Sequence, residues 1–222
     1  MRATLDTAVM TAAMIHFAII ALAAIPAGAA ATLAARRLAE TAAPPAWLLI
    51  VLSIMLGLWA AAVIPWGVLL AVTCLLGWML LVLAAVDALA FRLPDMLNLP
   101  LIALGIAVSN LLPQPDVMGH VIGMIAGLLS FYAIAEGYRA ARGREGLGLG
   151  DVKLAGAAGA WLGWQALPFV VLVACFVGLV WVGLAAARRG SEGLQERIPF
   201  GVALGFALWT IWLHGLPEFL TG

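Results

Sequence analysis

Two carboxylates, Asp87 and Asp151, stand where this sequence offers chemistry. Asp87 ends the apolar run Ala84-Ala85-Val86-Asp87, and Asp151 follows Gly148-Leu149-Gly150 at the start of a stretch of small residues. Only 10% of the residues are charged, so a carboxylate within hydrocarbon needs a reason. An ionisable group in a membrane helix costs roughly 2.5–3.5 kcal/mol on insertion scales, which makes it a functional hypothesis by default. Two carboxylates at short range do not both ionise; they share a proton. One then acts as general base toward water and the other as general acid toward a carbonyl oxygen. That is aspartic-peptidase chemistry, and it calls for no metal, cofactor or nucleophilic serine. The alternative is that each aspartate caps a helix at the interface, where the dipole favours a carboxylate at an N-terminus. This alternative suits Asp151 better than Asp87, which lies at the C-terminal end of its own segment.

The elements that must hold these groups are read from hydropathy. With 65% hydrophobic residues and a mean hydropathy of +1.13, the chain lies well above the roughly 45–50% apolar content of soluble domains. Spans of roughly 20 apolar residues are expected near 9–34, 46–64, 66–90, 96–112, 117–138, 151–165, 167–187 and 199–219. The expectation is an all-α polytopic membrane protein of about eight transmembrane helices, a single domain over residues 1–222. The first segment is read as a retained helix because its basic n-region is weak and Arg36-Arg37 follow it.

Eight crossings place Arg36, Arg37, Arg92, Arg139, Arg142, Arg144, Lys153, Arg188, Arg189 and Arg197 on one side and leave Arg2 alone on the other. The positive-inside rule makes the first side cytoplasmic, with both termini outside. Two crossings separate Asp87 from Asp151, so both fall at the cytoplasmic face. Small-residue rows, Ala155 with Gly159 and Gly156 with Ala160, allow a second backbone to approach closely and favour contact between the two aspartate-bearing helices. Gly148 and Gly150 lack a Cβ. They can bring a substrate backbone beside Asp151 or expose its carboxylate at a broken helix end.

Gly148-Leu149-Gly150-Asp151-Val152-Lys153-Leu154 resembles the GxGD motif of the type IV prepilin peptidases, membrane aspartic peptidases of type IV pili and type II secretion. The resemblance continues through Ala155 to Gln165 and into Arg197-Ile198-Pro199-Phe200-Gly201. Upstream, Asp87-Ala88-Leu89-Ala90-Phe91-Arg92-Leu93-Pro94-Asp95 is similar to the family's first catalytic segment. The resemblance implies cleavage of a short basic leader from prepilin or pseudopilin substrates at the cytoplasmic face of the bacterial inner membrane. It assigns the catalytic pair to Asp87 and Asp151. Many family members also N-methylate the new terminus with a cytoplasmic domain carrying paired CxxC motifs that bind zinc. Here residues 35–46 form only a short cytoplasmic loop without cysteine, so a peptidase without methyltransferase activity is expected. Which prepilin is cut, and whether the enzyme is a monomer or a homodimer, the sequence leaves open.

The remaining polar residues have plainer readings. Lys153 either tunes the aspartate pair, contacts substrate, or extends its ammonium to the interface. Asp95 is read as the N-cap of the fourth helix or as a rival to Asp87. Glu136, Glu145, Glu192 and Glu196 can meet a basic leader or form interfacial ion pairs with nearby arginines. Cys74 and Cys175 read as small core hydrophobes. His16, His120 and His214 show no metal-ligand spacing, and Ser53, Ser109, Ser130 and Ser191 have no adjacent base. Trp47, Trp66, Trp161 and Trp164 read as an aromatic belt at the span ends. The cationic residues reflect orientation in the bilayer, not nucleic-acid binding. The rival reading is a proton- or cation-coupled transporter, but such carriers hold their ionisable groups near the midplane of repeated halves, and no repeat is visible.

Overall fold

The computed structural model describes residues 2–39, 44–112, 116–143, 146–190 and 198–215. Within them the elements are α1 (Arg2–Ala39), α2 (Ala46–Val63), α3 (Val68–Ala90), α4 (Asp95–Ser109), α5 (Val117–Arg142), α6 (Leu149–Leu162), α7 (Leu167–Arg189) and α8 (Phe200–His214), with a short 3₁₀ turn at Trp164–Ala166. No strand occurs among the described residues. Their ends follow local rules. Pro45, Pro94 and Pro199 occupy N-cap positions, and Asp116 accepts the Gly119 N–H at 2.8 Å to start α5. Gly143, with φ of 67°, ends α5 in the left-handed conformation that glycine adopts without strain.

The eight helices among the described residues are not alike. Five segments of the described residues are long and apolar enough to cross a membrane: Met14–Arg37, Ala46–Val63, Val68–Ala90, Val117–Arg142 and Trp164–Arg189. The helices α4, α6 and α8 have 15, 14 and 15 residues. At 1.5 Å per residue they are about 21–23 Å long, shorter than a hydrocarbon core of about 30 Å. In α6 every residue from Leu154 to Trp161 is buried. A helix enclosed by other helices need not match the bilayer, because protein neighbours satisfy and cover its ends.

The chain divides into two compact units, Met1–Val82 and Leu83–Gly222. In the first, α1 packs against α2. A Cβ on Gly28 would fall 2.5 Å from the Ile50 Cα, so the two backbones nearly touch. Buried Ser53 donates from that contact to the Ala24 carbonyl at 2.7 Å, and the Trp78 indole N–H reaches the Ser53 carbonyl at 3.2 Å. His16 stacks on Trp66 at 4.2 Å. The loop expected over 35–46 is shorter, since α1 continues through Ala39; residues 40–43 lie outside the described residues.

In the second unit α6 is the centre, packed by α4, α5, α7 and α8. Its small residues meet α5, not the Asp87 helix as the sequence pattern suggested. A Cβ on Gly123 would fall 2.6 Å from the Gly159 carbonyl oxygen, and one on Gly159 would strike the Gly123 backbone. The reason is a matching row, Gly119, Gly123 and Gly127, spaced four apart on α5. Trp161 is a further correction: it is 1% exposed, donates to the Leu101 carbonyl at 2.8 Å and belongs to the core rather than to an aromatic belt. His120 is buried, with Nδ1 donating to the Ala160 carbonyl at 2.8 Å. Cys74 is buried as expected, but Cys175 is exposed on α7.

Candidate active site

Asp87 lies on the last turns of α3, within the second unit, and is only 5% exposed. Its Oδ2 accepts the backbone N–H of Val202 at 3.2 Å, and the Gly201 N–H also bonds the carboxylate. These are first-turn amides of α8, whose N-cap Pro199 offers no side-chain acceptor. Asp87 therefore caps the N-terminus of a distant helix. The unfavourable dipole at the end of its own helix is offset by the favourable one it faces. Gly201 makes this possible: a Cβ there would lie 2.8 Å from Asp87 Oδ2 and 2.9 Å from Leu93 Cδ1.

Asp151 is the third residue of α6, whose N-cap is Gly148. Its Oδ2 accepts the Gly148 N–H at 3.2 Å, the backward half of a capping box. Its Oδ1 is buried and has no hydrogen-bond partner among the described residues. One oxygen of Asp151 thus fastens the helix start while the other stays available.

Leu93 joins the two aspartates. Its Cβ lies where a Cβ on Gly150 would come within 2.7 Å, and its methyl carbons press on Gly201 beside Asp87. Leu93 therefore touches both the residue before Asp151 and the residue that faces Asp87. The turn that returns Leu93 to this place begins at Phe91, whose φ of 51° is left-handed, a costly conformation for an aromatic residue. Its N–H bonds the Asp87 carbonyl at 2.9 Å and closes α3.

The two glycines of the motif have different surroundings. Gly150 is filled against Leu93, including its backbone N and O at 3.3 Å, so it serves a close approach between chain segments. Gly148 is exposed in an extended conformation, φ −77° and ψ 149°. Asp95 is the first residue of α4, after the N-cap position held by Pro94. Its carboxylate pairs with Lys153 Nζ at 2.6 Å instead of capping. Lys153 is therefore directed to Asp95, two residues beyond Asp151 along α6.

Glu136 pairs with Arg139 at 3.6 Å on the exposed face of α5, whereas Arg144, Glu145, Ser191, Glu192, Glu196 and Arg197 lie outside the described residues. Sequence reading did not single out Leu93, Gly201 or Asn98, the last a buried residue of α4 whose Nδ2 donates to the Gly150 carbonyl at 3.3 Å. The signal for Gly201 was present in Pro199-Phe200-Gly201, a proline–glycine helix start that needs an outside cap. Nothing local marks Leu93 or Asn98.

The type IV leader peptidase family matches residues 74–183. A prepilin leader peptidase/N-methyltransferase of Burkholderia pseudomallei is 42% identical over 141 residues, 64% of this chain and 45% of that protein. One from Aeromonas salmonicida is 40% identical over 151 residues, 68% of this chain and 50% of its own length. One from Pseudomonas aeruginosa is 36% identical over 141 residues, 64% of this chain and 48% of its own length. The chain spans about half the length of these curated relatives. No solved structure matches it. Residues 74–183, which carry both aspartates, are thus the part of the chain that is similar to the type IV leader peptidase family.

Proposed function

We propose that this protein is a membrane aspartic endopeptidase that removes the basic leader of prepilin-like substrates, with Asp87 and Asp151 sharing a proton and activating water. The observation that supports this most is the packing of Leu93 against both Gly150, which precedes Asp151, and Gly201, which lies beside Asp87, with Asp151 Oδ1 buried and without a hydrogen-bond partner among the described residues. Asp87, held by the α8 amides, acts as the carboxylate of the pair, and Asp151 holds the shared proton on the oxygen left without a partner. Water is deprotonated by one and the scissile carbonyl oxygen is protonated by the other. The backbone amides at the start of α8 stabilise the anionic charge of the pair, so that no metal is needed.

The finer assignment of surroundings belongs to the same reading. Eight crossings put the basic loops and both aspartates at the cytoplasmic face of the inner membrane, where a basic leader emerges from the bilayer. Gly148, exposed beside Asp151, leaves room for the substrate backbone. The cysteine-free stretch from Arg36 to Pro45 supports peptidase activity without N-methylation.

Co-expression with candidate prepilins tests the proposal. Leader loss should appear as a gel shift and as the mass of the mature chain with an unmethylated amino terminus. An added methyl mass with no other processing enzyme present would overturn the restriction to peptidase activity. No cleavage of any prepilin would overturn the function itself.

A further inference from the structure

Asn98 sits in the first turns of α4 with no exposed surface, and its Nδ2 donates to the Gly150 carbonyl at 3.3 Å. A buried amide is costly where an apolar residue would fill the same space. A buried polar atom without a partner is destabilising, and Asn98 Oδ1 is buried with no partner among the described residues. The half of the amide that is used grips the peptide immediately before Asp151. Three residues earlier on the same helical face, Asp95 reaches Lys153 at 2.6 Å. The start of α4 thus holds the start of α6 on both sides of Asp151, once through backbone and once through an ion pair.

The two holds differ in strength. The Lys153 and Asp95 side chains are 31% and 57% exposed, and ion pairs so placed are weakened by water and side-chain entropy. The Asn98 bond is part-buried, and its donor has no exposed surface, so water competes with it less. Its carbonyl acceptor belongs to the residue that also rests on Leu93, the side chain that reaches Gly201 beside Asp87. We propose that Asn98 is a positioning residue: by fixing the Gly150 peptide it holds Asp151 at its working distance from Asp87. This rests on the peptidase reading above.

The test uses the full chain purified in detergent and a prepilin peptide spanning the leader junction, with rates normalised to folded protein. Asn98→Leu keeps the branched heavy-atom skeleton, slightly enlarged, and removes the donor. Its kcat should fall by roughly tenfold to a hundredfold, the scale on which an ångström of misplacement acts, with KM unchanged and a displaced pH profile. Asn98→Thr retains a hydroxyl donor and should keep the wild-type pH profile and most of kcat. If Asn98→Leu does not accumulate, Asn98→Asp replaces it, since that side chain has the same shape and no N–H when ionised. Wild-type kcat and pH profile in the donor-less variant would overturn the proposal. So would equal losses in the leucine and threonine variants with the pH profile unmoved, which is the pattern of packing alone. Wild-type enzyme that cleaves no leader peptide removes the peptidase reading and this proposal together, whereas an active wild type beside an indifferent Asn98→Leu removes only this one.

Discussion

Asp87 and Asp151 each have a structural duty and an oxygen or charge left for chemistry, so substitutions must separate the two. Asp87→Asn keeps an acceptor for the Val202 N–H and Asp151→Asn keeps one for the Gly148 N–H. Both variants should therefore accumulate in the membrane near the wild-type level while leader cleavage is lost. The double variant should be no worse than either single one, because groups acting as a unit are not additive. Cleavage that survives Asp87→Asn but not Asp95→Asn, measured on the same prepilin, would move the first catalytic position to Asp95. Gly201 carries a second prediction at this scale. A methyl there would lie 2.8 Å from Asp87 Oδ2 and 2.9 Å from Leu93. Gly201→Ala should displace the carboxylate and lower kcat more than it lowers the thermal midpoint in detergent; a variant that only melts earlier would make Gly201 a packing residue.

Helices α5 and α6 meet through glycines, and this contact explains how so short a helix as α6 is held. A side chain on Gly159 would run into the Gly123 backbone, which neither helix can yield without separating. Gly159→Leu should therefore cost several kcal/mol, as overpacking and lost interhelical contact do, and appear as a loss of folded protein. Gly183 in α7 has nothing within 4 Å of the position a Cβ would take. Gly183→Ala should be neutral or stabilise the helix by about 0.5–1 kcal/mol. Thermal unfolding of the two variants side by side checks the contrast. Similar midpoints would mean that the α5–α6 contact does not control stability.

Across the whole molecule, the helices of the described residues meet the bilayer with unequal lengths. Five segments satisfy the length requirement, and the other three are 14 or 15 residues long. The charge pattern still predicts alternation. Reporter fusions after Arg144 and Gly190 should report the cytoplasm, and fusions after Gln114 and Gly222 the outside. If one of α4, α6 or α8 fails to cross, the fusion sites beyond it exchange sides, and the shared face of Asp87 and Asp151 has to be derived again.

The sequence by itself determined the all-helical class, the place of most helices and the two carboxylates that stand out from the hydrocarbon. Apolar runs, prolines at N-caps and glycines at C-caps act within three or four residues, so α2, α3, α5 and α7 lie within a few positions of their expected bounds. The GxGD segment and Asp87 were visible because charge is scarce in this chain. Tertiary structure alone decided what each group touches. Asp87 caps α8 through a bond spanning 115 positions, Asn98 holds Gly150 across 52, and Lys153 meets Asp95 across 58. Likewise, the small residues of α6 showed that a backbone could come close, but the facing glycines of α5 chose which one. Contacts of this range depend on which helix faces pack together, a choice made by fit over the whole unit and not by the residues adjacent in the chain.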